Sequence, residues 1–200
     1  MEHVRYHTVG LSPSRHRLAA MTLAVEGGVP LVAVLLGMLL GPPLMSIMTI
    51  DMHSVLMGTG IGLGLMIVVF GVVDSRLGRS TALRQDLAQL AGLLQNVRVV
   101  DMLWISALAG AGEEALFRGV LLHHGAAWLG VPLAIALTSL LFGLLHAMSL
   151  AYVIFATTLG VFMCVVYLTT GNLAVAMIAH GVYDFVALVY VLRLRRTVTR

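Results

Sequence analysis

The sequence predicts an all-α polytopic membrane protein, a bundle of about six transmembrane helices with one amphipathic helix on the cytoplasmic surface. Three observations predict it. Hydrophobic residues make up 60% of the chain and charged residues 10%, a balance that ordinary soluble domains do not carry. Apolar stretches recur at the length a bilayer-crossing helix needs, about 20 residues. Finally, the arginines between those stretches segregate to one side.

The first stretch covers 18–40 and stops at Gly41-Pro42-Pro43. It contains Glu26 and Pro30 and lacks an A-x-A site, so a retained helix is expected rather than a cleaved signal. The second covers 52–73, and Gly60 and Gly64 in it form a small-xxx-small pair suited to close helix packing. The third covers 102–122 and the fourth 126–147, with Pro132 in the first turns of the fourth. The fifth covers 150–168 and the sixth 173–192. Trp104 and Trp128 fall near the ends of these stretches, where membrane-belt residues sit. His123 and His124 mark the polar end of the third.

All 12 basic residues are arginine. Arg5, Arg15 and Arg17 precede the first stretch; Arg76, Arg79, Arg84 and Arg98 separate the second from the third; Arg193, Arg195, Arg196 and Arg200 follow the sixth. With six spans these regions share a side, and the intervening connections at 41–51, 123–130 and 169–172 hold no arginine. The positive-inside rule then places both termini in the cytoplasm. The expected organisation is a tail at 1–17, one membrane domain at 18–192 and a tail at 193–200. The net charge of +3 is a topology signal, and no nucleic-acid partner is expected. Cys164 stands alone, so an internal disulfide is excluded. The abundance of Arg, Ala, Gly and Val points to a bacterial cytoplasmic membrane.

Segment 80–98 is too polar to span. Leu83, Leu87, Leu90, Ala91, Leu94 and Val97 recur at helical spacing, with Arg84, Asp86, Gln89, Gln95 and Arg98 between them. The pattern predicts an amphipathic surface helix, either a connector or a flap beside a site.

Charge inside the third stretch carries the functional signal. Glu113, Glu114 and Arg118 interrupt an apolar run, at a cost of about 2.5–3.5 kcal/mol per charge on the insertion scale. Glu114 and Arg118 are four apart, on one helix face, and their pairing offsets part of that cost. Glu113 points about 100° away and stays available as a general base. Phe142 and His146 are four apart in the fourth stretch, and His180 and Asp184 in the sixth. A carboxylate near two imidazoles can activate water while the imidazoles donate to a developing oxyanion or leaving amine. The same Glu113, His146, His180 and Asp184 are also acceptable Zn²⁺ ligands, and spacing does not choose between the two.

These three motifs, Glu113-Glu114-x-x-x-Arg118, Phe142-x-x-x-His146 and His180-x-x-x-Asp184, resemble those of the CPBP (CAAX protease and bacteriocin-processing, Abi) family of intramembrane proteases, which includes the Ras-converting CAAX endopeptidases. The resemblance covers about 102–192, the expected protease core. It implies that Glu113 activates water, that Glu114 pairs with Arg118 to hold the helix, and that His146 and His180 serve as oxyanion stabiliser, proton donor or metal ligand. Asp184 stands where the CAAX-processing members have Asn. An ionised Asp cannot donate a hydrogen bond, so CAAX processing in particular is the weaker expectation.

The function expected is that of an intramembrane endopeptidase. Its partners would be a peptide or membrane-protein substrate and the lipid bilayer. Zinc is an open cofactor, and the oligomeric state is open. A non-catalytic scaffold or bacteriocin self-immunity protein is the alternative; a small ion or proton transporter ranks third, since no internal repeat is visible.

Overall fold

The computed structural model describes residues 15–40, 44–74, 81–94 and 97–198. Most of the expected N-terminal tail, Pro42-Pro43, Arg76, Arg79 and Gln95 lie outside them. The described chain is helical, with no strand among the described residues. The helices are α1 (Arg15–Leu40), α2 (Met52–Asp74), α3 (Thr81–Leu94), α4 (Val99–Glu114), α5 (His123–Leu129), α6 (Val131–Leu145), α7 (Leu150–Thr170) and α8 (Leu173–Val198). A π-helical segment, Ala115–Leu122, joins α4 to α5 without a break.

The expected stretches map onto α1, α2, α4 with its π continuation, α6, α7 and α8. By length and apolarity three described segments qualify as spans, Met52–Gly71, Leu150–Thr170 and Leu173–Arg193. Gly27–Leu40 and Val131–Leu145 are apolar but shorter. The reasons are physical. At 1.5 Å per residue α6, with its 15 residues, reaches about 22 Å, less than the hydrocarbon thickness of about 30 Å. The α4–π helix carries Asp101, Glu113, Glu114 and Arg118. α8 stays helical past 192 as far as Val198.

The fourth stretch begins at Val131 rather than at 126. Gly130 breaks the helix at φ 80, a conformation costly for any residue with a Cβ, and Pro132 then sits in the first turn of α6. Residues 126–129 belong to α5 instead.

α8 is the central post. α2 and α4 pack along it closely enough to require glycine. A Cβ on Gly110 would lie 2.6 Å from Gly181 N. On α2, Gly58 and Gly62 make the approach: a Cβ would meet Ile178 Cβ at 2.8 Å and Ala179 O at 2.6 Å, respectively. The expected pair, Gly60 and Gly64, faces open space. Both pairs have the same spacing, and which one faces α8 is set by the rotation of α2, which the spacing does not encode.

Two tertiary hydrogen-bond sets define the ends of the bundle. At one end Asn172 Oδ1 accepts from Thr49 N at 2.9 Å, and Asn172 Nδ2 donates to Thr49 O at 2.8 Å, tying the α1–α2 connection to the α7–α8 turn. Here Asp51 and Ser54 cap α2 reciprocally, and the Ser54 N–H holds the Asp51 carboxyl below the usual carboxylate range. At the other end Ser149 Oγ donates to Asp86, joining α3 to the α6–α7 turn. Arg98 also lies beyond α3, paired with Asp101 at 3.1 Å. The arginine-free connections at Thr49 and Asn172 thus sit together, as alternating spans require.

α3 packs its apolar residues on α7 and α8, with Leu90 and Leu94 against Phe185 and Leu188. Asp86, one of the polar residues interleaved with them, is 4% exposed and accepts from Ser149 Oγ.

Candidate active site

The acid pair sits where α4 passes into the π segment. Wide-turned π segments occur disproportionately at functional sites. Gly112 precedes the pair because Pro30 of α1 crosses there; a Cβ would lie 2.5 Å from Pro30 Cδ. Glu114 and Arg118 are both buried, and Arg118 Nη1 donates to Glu114 Oε1 at 2.8 Å. Arg118 Nη2 donates to Gly160 O on α7 at 2.7 Å, and its guanidinium lies 5.1 Å from the Phe142 ring centroid. The guanidinium therefore ties the α4–π helix to both α6 and α7.

Glu114 also receives His180. Nδ1 of His180 lies 2.6 Å from Glu114 Oε1, so the imidazole donates from Nδ1 and turns Nε2 the other way. That Nε2 faces Glu113 Oε2 at 3.8 Å. Just past the end of α6, His146 Nδ1 donates to the Phe142 carbonyl at 2.8 Å, which turns its Nε2 toward Glu113 Oε1 at 3.7 Å. The two imidazoles thus flank one carboxylate, each oriented by a hydrogen bond on its far nitrogen. Both separations exceed a direct hydrogen bond and suit a single bridging water.

Aromatic rings fix the imidazoles further. Phe142 stacks on His146 at 4.4 Å, and Tyr183 stacks on His180 at 4.9 Å. Asp184 shares the site with Ser106 of α4 beside it. A cavity of about 280 Å³ opens from Glu113, His146, His180 and Asp184. Its walls are otherwise mostly apolar and aromatic, including Val69 of α2, Leu87 and Leu90 of α3, Tyr152 of α7 and Leu188 of α8. Glu113 lines this cavity and Glu114 does not.

All seven residues singled out in the sequence, Glu113, Glu114, Arg118, Phe142, His146, His180 and Asp184, lie together. Tyr183, Tyr152, Ser106 and the Gly160 carbonyl join them without having been foreseen. Tyr183 follows His180 by one helical turn, a faint signal; a backbone acceptor carries none. Cys164 lies away from the cavity, against Ser139 Oγ at 3.6 Å. Among the described residues no group of three or more His, Cys, Asp and Glu side chains is arranged to hold a metal ion.

A helical bundle with membrane-spanning helices around a buried acid–imidazole cluster defines an integral membrane protein with the makings of a hydrolase. Residues 95–186 match the family model described as Type II CAAX prenyl endopeptidase Rce1-like, so this part of the chain is similar to that family. The matched segment contains all three motifs. No curated protein and no solved structure matches the chain.

Proposed function

We propose that the protein hydrolyses peptide bonds by direct attack of a water molecule activated by Glu113. The observation that carries this reading is the pair of imidazole Nε2 atoms at 3.7 and 3.8 Å from the two oxygens of Glu113, at the head of an apolar cavity. A water between carboxylate and imidazole gives its proton to Glu113 and attacks the scissile carbonyl carbon. The developing oxyanion is met by Nε2 of a protonated His146 or His180. Collapse of the tetrahedral intermediate breaks the C–N bond, and the proton held by Glu113 passes to the leaving amine. Glu114 and Arg118 hold the His180 ring rather than reacting, since both are sealed from the cavity. Asp184, beside the same imidazoles, orients them or donates when protonated.

The apolar walls favour an extended substrate segment with apolar side chains, peptide or membrane-protein tail alike. Leu87 and Leu90 of α3 line the cavity, toward the Arg98 end of the bundle; the arginine bias supports a cytoplasmic opening there, with both chain termini on the same side. The test is cleavage of a peptide library by the purified chain in detergent. Wild type should cleave and Glu113→Gln should not, while loss of the wild-type activity on chelation, with recovery on Zn²⁺, would replace this mechanism by a metal-assisted one.

A further inference from the structure

α3 carries a buried acid that the catalytic reading does not use. Asp86 is 4% exposed, and its carboxylate accepts a hydrogen bond from Ser149 Oγ. The same Ser149 Oγ accepts from Tyr152 N at 3.2 Å and so caps α7. Ser149 closes the short turn that starts at His146. His146 itself has left the α6 helix, at φ −98 and ψ 14, and its side chain is 35% exposed, far more than the 4% of His180. His180 is held in mid-helix, whereas His146 depends on the turn that follows it. Leu87, next to Asp86, and Leu90 line the same cavity as His146.

We infer that Asp86 is a positioning residue for His146: its hydrogen bond to Ser149 latches α3 onto the α6–α7 turn, which fixes the His146 imidazole against Glu113 and seats the α3 wall of the cavity. A carboxylate acceptor suits the place for two reasons. Hydrogen bonds to an ionised acceptor are about twice as strong as neutral ones. The N-terminus of α7 also presents the positive end of its helix dipole to Asp86. The latch would set both the imidazole and the cavity wall, so its loss should lower turnover more than substrate binding. That consequence rests on the hydrolytic reading above; the positioning of His146 does not.

The experiment uses the full-length chain in detergent and measures carbethoxylation of each histidine by diethylpyrocarbonate, with peptide mapping. Asp86→Leu and Ser149→Ala should each raise the His146 rate about fivefold, the factor one ordinary hydrogen bond carries, with His123 and His124 unchanged as internal references. Asp86→Asn keeps an acceptor oxygen without the charge, so its rate should fall between wild type and Asp86→Leu, while Ser149→Thr keeps the hydroxyl and should stay near wild type. The double variant should do no more than the larger single, because the two residues act through one bond. On any peptide that the wild type cleaves, Asp86→Leu should lower kcat by a larger factor than it raises KM. A His146 rate unchanged in Ser149→Ala would overturn the latch, as would a rise in Ser149→Ala but not in Asp86→Leu, which would leave only the α7 cap. Failure of the wild type to cleave any peptide would count against the hydrolytic reading alone, and carbethoxylation would still decide the latch.

Discussion

At the scale of single residues, charge inside an apolar helix determines most of what happens at the site. Arg118 and Glu114 are 1% and 0% exposed in their side chains, so each needs the other. Removing one partner of such a buried pair typically costs about 3–5 kcal/mol. Arg118→Met should therefore lower the unfolding midpoint in detergent sharply, and Glu114→Leu/Arg118→Met should recover part of the loss, read by thermal unfolding of the single and double variants. This pair is legible in the sequence because four residues on a helix make one face. The contact from His180 to Glu114 is not, since it joins residues 66 apart and depends on where α8 docks. The same holds for Asp86, whose neighbours in sequence read as a polar face. The separate duties of the two adjacent glutamates are partly legible: a rotation of about 100° sends them to different neighbours, but which one meets the cavity is set by packing.

At the scale of elements, helix contact depends on backbone approach. Gly58 and Gly62 touch α8, whereas Gly60 and Gly64 do not. Gly62→Val should destabilise the bundle by about 1–3 kcal/mol, the usual cost of overpacking, and Gly64→Val should be close to neutral. Comparing denaturant midpoints of the two variants checks this directly, and an equal effect would contradict the packing described. The sequence offers both glycine pairs with identical spacing, which is why the wrong one looked equally good. The start of α6 shows a similar limit. Pro132 announces a helix start, but the break at Gly130 depends on a positive φ, and Leu122 through Leu129 are apolar enough to read as either helix.

At the scale of the molecule, arginine distribution is the strongest signal and the span count the weakest. Residues Thr49 and Asn172 bond at one end of the bundle, while Asp86 and Ser149 bond at the other. Single cysteines introduced at Thr49 and at Ser149 in a Cys164→Ser background should be labelled by an impermeant maleimide from opposite faces of sealed vesicles, Ser149 from the cytoplasmic face. Labelling of both from one face would contradict the alternation. The fold class was legible because composition alone excludes a soluble domain. The number of crossings was less so, because α6 is short and the α4–π helix carries the charges that the site needs. The central claim is that Glu113 activates the attacking water. The most direct test is hydrolysis of a peptide library in H₂¹⁸O by wild type and Glu113→Gln, with and without chelator. The account predicts one ¹⁸O in the new carboxylate of each wild-type product, unaffected by chelation, and no product from Glu113→Gln. Cleavage that persists in Glu113→Gln would contradict it.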